Sequence, residues 1–263
     1  MVFEPGLVHA PLTPFADDRS IDFARYGRMI DFHLRHGAQG LAVPMHVGES
    51  VSLADDERRA LIGYAVHQAQ KRAPIIAHVS DAGTGIAAAL ARAAQAAGAA
   101  AVMATTPYYW TPPPAMLIEH FVAIGAAVDI PFLVFNAPDD MAGSKINAAT
   151  ALKLVERLPN FAGVVDSSLD WQFMIELLGE TARARPAFAL YSGTELLVSA
   201  SAIGARGMVS ALSVVAPTLV RRLFALCQRQ KLFEARAVQE ELAASARSSS
   251  QAASARSRPP PAP

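Results

Sequence analysis

Two imidazoles stand at the ends of short apolar runs: His46 just after "GLAVP" and His78 closing "PIIAH". A third run, "FAGVVD", ends on Asp166 and is followed by two serines. Two histidines and a carboxylate can hold a divalent metal, or work as an acid/base pair near neutral pH. Their spacing matches no recognised metal motif, so no metal or cofactor is expected, and polar replacements lining a pocket are the plainer alternative. Glu49, three residues after His46, can serve as an acid or tie its loop to neighbouring backbone amides. Thr13, Ser80, Asp81, Thr105 to Tyr109, Asn136 and Ser192 to Glu195 stand at similar run ends. His33, His36, His67 and His120 fall in amphipathic segments and are expected at the surface or in packing. Cys227, the one cysteine, reads as a small buried hydrophobe.

Those run ends need elements to position them. Apolar runs at about 6–10, 39–44, 74–80, 100–105, 131–136, 161–166, 188–192 and 207–211 are short and bounded by turn residues, as buried strands are. Helical patterns lie between them. The segment 22–36 ends at Gly37; 53–71 opens on "SLADDE", a serine followed by acids in the first turn; 147–158 stops before Pro159. Strands that alternate with helices are parallel, because each needs a crossover. Eight such units predict a single (β/α)8 barrel over residues 1–242, with its working face at the strand C-termini. An open doubly wound sheet is the competing arrangement, but "HAPLTPF" is not the glycine-rich loop such a sheet carries after its first strand. From about residue 243 the chain becomes Ala/Ser/Arg/Pro-rich with almost no large apolar residue, and a disordered tail is expected over 243–263.

Bulk composition narrows the partners. Lys+Arg and Asp+Glu both number 23, so the basic footprint of a nucleic-acid binder is missing. The longest apolar stretch, 93–104, is interrupted by Gln95 and Gly98 and is too short to span a bilayer. The N-terminus has neither the basic start nor the long apolar core of a signal peptide. One cysteine fits a reducing compartment, and the cytoplasm is expected.

"APLTPFADDRSID", "VGES", "TTPYYWTPP", "FNAPDDMAG", "SGTELL" and "GARGMVS" follow one another over residues 6 to about 240 in the order and spacing of one family. The chain resembles the dihydrodipicolinate synthase/N-acetylneuraminate lyase family of (β/α)8 lyases. The resemblance implies a Schiff base between a lysine on strand six and the carbonyl of pyruvate or a related 2-oxo acid. A deprotonated amine attacks the carbonyl, and the iminium then acts as an electron sink. It also implies a proton-relay tyrosine on strand five, a loop after strand two that holds the substrate carboxylate, and a tyrosine after strand four lent across a subunit interface.

In this sequence the lysine position falls on Val165 and the relay tyrosine on Phe135. The loop threonines become His46 and Val47, while Gly48, Glu49 and the interface Tyr109 remain. Ser192 and Gly193 complete the substrate-binding positions that the resemblance implies. The family adds further helices after its barrel, where this chain has the biased tail, an ending that an out-of-frame reading would also produce. A small 2-oxo acid or other carboxylate is the expected ligand and a homo-oligomer the expected assembly. The expected activity is a lyase or aldolase whose imine step has lost its nucleophile. The alternatives are a non-catalytic carboxylate binder and a lysine-independent, metal-assisted lyase using His46 and His78.

Overall fold

Every predicted strand forms, and all eight pair in parallel and in chain order, β8 closing onto β1. They are β1 Leu7–His9, β2 Gly40–Val43, β3 Ile75–His78, β4 Ala101–Thr105, β5 Phe132–Asn136, β6 Phe161–Asp166, β7 Ala189–Ser192 and β8 Gly207–Ser210. The computed structural model describes residues 6–138 and 144–256, with side chains as far as Ser245. The last five residues of the "FNAPDDMAG" motif and the end of the tail, 257–263, lie outside the described residues.

The helices follow their strands: α1 Phe23–Arg35, α2 Asp55–Ala69, α3 Thr84–Ala96, α4 Pro114–Gly125, α5 Ala148–Arg157, α6 Trp171–Ala184, α7 Leu197–Ile203, α8 Pro217–Gln228 and α9 Leu232–Arg256. Local chemistry sets most of their starts. Asp22, Asn147 and Asp170 each accept a backbone N–H from the first turn of α1, α5 and α6. Three boundaries differ from the sequence expectation. The serine of "SLADDE" does not cap α2; the Glu57 carboxylate instead accepts the Ala54 N–H at 2.9 Å. Leu169, expected to open α6, sits outside it at φ 57°, and Asp170 takes the cap. Glu195 does not begin α7. Its carboxylate accepts from Ser210 Oγ at 2.7 Å and from the Leu212 N–H at 2.9 Å, tying the β7 loop to the β8 loop.

Strand alternation divides the apolar residues into layers. One set, including Val43, Val102, Val134, Val164 and Leu190, faces the helix ring. The other, including Ala42, Met103, Phe135, Val165 and Tyr191, fills the barrel interior. A third cluster joins β1 and β8 to α7, α8 and α9, and Leu242 is fully buried within it. The α9 backbone stays helical past residue 243 to Arg256. Alanine, arginine and glutamine, which recur along it, are good helix formers. No helix among the described residues is long and apolar enough to cross a membrane.

Between β1 and α1 the sequence hides a buried pair that it does not announce. His9 and His33 are both fully buried, with Nδ1 atoms 3.1 Å apart, so one ring donates and the other accepts. Burial lowers both from the ordinary 6.5, His9 to about 3 and His33 to about 4, and His120 beneath α3 falls to about 4 for the same reason. Below pH 6.5 the unfolded chain therefore binds protons that the folded chain refuses. Stability is fully present above that pH and is lost on acidification towards pH 4, by up to ~1.4 kcal/mol per pH unit for each histidine. We predict a urea midpoint that is flat above pH 7 and falls steeply between pH 6.5 and 5. A flat profile through that window would show that the folded protein takes up protons on these rings as readily as the unfolded chain does.

Candidate active site at the barrel mouth

The ladder places four residues abreast: Thr105 pairs with Phe135, Phe135 with Val165, and Val165 with Tyr191. Alternation turns this row into the barrel. Phe135, Val165 and Tyr191 belong to the interior cluster, and Thr105 lies two residues beyond the inward Met103. The next residues, Asn136, Asp166 and Ser192, are also in register but point the other way.

The outer row binds loops together. Asn136 Nδ2 donates to Asp166 Oδ1 at 2.6 Å, while Asn136 Oδ1 accepts the Ile146 N–H at 3.2 Å. The N–H and Oγ–H of Ser168 both donate to Asp166 Oδ2, and Gly193 N–H donates to the Asp166 carbonyl at 2.7 Å. Burial raises the Asp166 pKa, against the pull of the Asn136 and Ser168 hydrogen bonds. This carboxylate braces the β5, β6 and β7 loops and faces away from Val165. Ser192 Oγ donates to the Thr194 carbonyl, and Gly193 packs so tightly that a Cβ would lie 2.2 Å from Ser167 Oγ. As candidate ligand contacts, Asp166 and Ser192 therefore sit behind the pocket wall, and Gly193 is half-buried at the strand end.

The two imidazoles do come to the mouth, on either side of Phe135. His46 stacks on its ring at 5.8 Å between centroids and is exposed; His78 meets it edge-on at 6.4 Å and is buried. Ser80 Oγ lies 2.8 Å from His78 Nε2 and also accepts the Thr105 N–H at 2.8 Å; because His78 donates to the Pro44 backbone, Nε2 is left to accept the Ser80 proton. Burial, with His46 and Arg58 nearby, lowers His78 to about 3 against the opposing pull of the Pro44 backbone. His78 is a neutral acceptor locked into a chain, and that occupied nitrogen cannot chelate. No group of three or more His, Cys, Asp or Glu side chains among the described residues could hold a metal ion.

The loop after β2 is folded onto β1. Thr13 Oγ1 donates to the Gly48 carbonyl at 2.7 Å, and a Cβ on Gly48 would lie 3.0 Å from the Pro11 carbonyl. Val47 packs on the interior cluster. Glu49 is exposed at φ 61°, and its carboxylate bonds none of the described residues. It does not tie the loop; Thr13 performs that task. Tyr109 is 95% exposed at φ 84°, a conformation sparsely occupied by residues with a β-carbon.

Three contributors escaped the sequence reading. Tyr191 fills the interior because Gly207 leaves room; a Cβ there would meet the ring at 2.4 Å. Strand alternation from Ala189 was the available signal. Arg58 is buried on α2 and reaches the Ser80 carbonyl, Asp55 and Asp81, locking the β3 loop, with no sequence pattern to mark it. Thr105 was noted as a strand end, but its inward direction was not. Its Oγ1 is buried without a partner among the described residues, a state that costs ~1–3 kcal/mol.

None of the four lysines reaches this row. Lys71 lines a groove at the strand N-termini, Lys153 pairs with Glu156, Lys231 pairs with Glu234, and Lys145 lies 3.4 Å from Asp170 between α5 and α6. Two grooves of about 680 and 560 Å³ also lie at the strand N-termini, around Pro131. In barrels of this kind that face serves stability and the opposite face serves chemistry, so the mouth remains the candidate site.

A sequence model of the dihydrodipicolinate synthetase family matches residues 4–251. The chain belongs to that family. It is 35% identical over 238 residues to the 4-hydroxy-tetrahydrodipicolinate synthase of Azoarcus sp. (strain BH72), covering 90% of this chain and 80% of that one. The dihydrodipicolinate synthase of Aquifex aeolicus superposes with a TM-score of 0.86 at 28% identity, over 91% of this chain and 80% of its own. The Acinetobacter baumannii dihydrodipicolinate synthase, solved with pyruvate, gives 0.84 at 27% identity, over 90% and 80%. This family membership makes the inner row the place to look for its chemistry.

Proposed function

We propose that this protein binds a small 2-oxo acid, pyruvate or a close relative, at the barrel mouth and does so without forming an imine. The observation that carries the reading is the inner row itself. At the positions where the family resemblance expects a relay tyrosine and a lysine, the barrel presents Phe135 and Val165, both buried. Valine carries no nucleophile and phenylalanine no transferable proton, so the family's condensation loses both its covalent anchor and its relay. What remains is a carboxylate-binding member of a lyase family. One cysteine, buried on α8, agrees with a reducing cytoplasm.

A second reading rests on His46. An exposed imidazole stacked over the pocket floor is placed to move a proton, which would suit a lysine-independent lyase. His78 takes no part in that chemistry, because its Nε2 is spent on Ser80.

The assembly follows from the β4 loop. Tyr109, Trp110 and Met116 are all exposed, and Tyr109 holds a strained backbone to present its ring. We assign this apolar, proline-stiffened surface to self-association, which aromatic side chains favour. Light scattering at micromolar concentration should give at least a dimer mass, and a strictly monomeric mass would refute the assignment.

The function is tested by restoring the lost pair. The Val165→Lys, Phe135→Tyr double variant should form a pyruvate adduct trappable with borohydride, because burial lowers a lysine pKa and frees its amine. A folded double variant that traps nothing would show that the mouth no longer holds a 2-oxo acid.

A further inference from the structure

Thr105 Oγ1 is a buried hydroxyl with no hydrogen-bond partner among the described residues, on a strand residue that faces the barrel interior next to Phe135. Hydroxyls enclosed in this way are rare unless a ligand or water completes them. The floor beside Thr105, Phe135 and Val165, offers a ligand no polar atom. The backbone of Thr105 is held by the Ser80–His78 chain, since its N–H donates to Ser80 Oγ and that hydroxyl is in turn bound to His78. This fixes the backbone from which Oγ1 projects. Phe135 is overlaid by the exposed His46 ring, which separates it from solvent on that side.

We propose that the Thr105 hydroxyl is the donor that holds the carbonyl or carboxylate oxygen of the 2-oxo acid at the barrel mouth, with His78 and Ser80 as its positioning residues. The proposal rests on the reading that such an acid binds there, and it names the contact that replaces the imine. No bond is made or broken in this step: the oxygen accepts a hydrogen bond and the ligand leaves unchanged. A site built around such a donor selects for ligands that carry the oxygen, because an analogue without it leaves the hydroxyl unpaired.

The test is calorimetric titration of pyruvate into the wild-type chain, Thr105→Val and Thr105→Ser, with a urea midpoint for each. Loss of one ligand hydrogen bond should weaken binding to Thr105→Val by about tenfold. Thr105→Ser, which keeps the hydroxyl, should stay within about threefold of the wild type. The urea midpoint of Thr105→Val should be unchanged or higher, because no bond to a described residue is lost. That combination separates a ligand contact from a structural role. If the wild type binds pyruvate and Thr105→Val binds it equally well, this assignment fails while the 2-oxo acid reading stands. If Thr105→Val loses stability and binding together and Thr105→Ser does not rescue either, the residue is structural and the proposal is overturned. If the wild type gives no saturable heat with pyruvate, the 2-oxo acid reading fails and takes this proposal with it.

Discussion

Across β4, β5, β6 and β7 the parallel ladder sets Thr105, Phe135, Val165 and Tyr191 side by side, and one residue later sets Asn136, Asp166 and Ser192 side by side facing the other way. A period of two leaves no intermediate option: each strand-end residue either enters the barrel or braces a loop. Asp166 is adjacent to the position where the family's nucleophile is expected, yet it belongs wholly to the brace. Val165 belongs wholly to the pocket. The same register lets the outer row keep its hydrogen bonds while the inner row changes its chemistry, because the two rows face opposite sides of the shared strands.

Charge at the mouth is arranged with the same economy. His78 is buried, neutral and an acceptor, and it spends its Nε2 on fixing the Ser80 hydroxyl, which fixes the Thr105 backbone. Arg58 holds the same loop from below through the Ser80 carbonyl and Asp81. These contacts make the β3 and β4 loop ends rigid. His46 lies at the surface, stacked on Phe135 and free of that network. Two histidines that look equivalent in sequence thus do different work, one as a fixed part of the wall and the other as an exposed ring over the floor.

The barrel was legible because eight apolar runs and their intervening helical patterns are local signals, and parallel strands admit few arrangements. The positions of His46, His78, Phe135 and Val165 were legible as strand ends. What the sequence could not show was direction. Asp166 and Ser192 read as mouth residues until alternation, anchored by Val164 against the helices and Val165 in the interior, turned them outward. The His9–His33 pair and Arg58 were hidden for a different reason. Each depends on a partner at least 22 residues away in the chain, and no local pattern encodes such a contact. Glu49 was expected to tie its loop, but a threonine on the neighbouring loop does so instead, because the turn at Gly48 brings that carbonyl to Thr13.

The central claim is that the inner row binds a 2-oxo acid without covalent capture, and intact-mass measurement of the native protein after incubation with pyruvate and borohydride tests it most directly. An unchanged mass is expected, since Val165 stands where the family resemblance expects the lysine and none of the four lysines lies at the row. A mass increase matching a reduced pyruvate imine would contradict it, and mapping the modified peptide would show which lysine had reached the pocket.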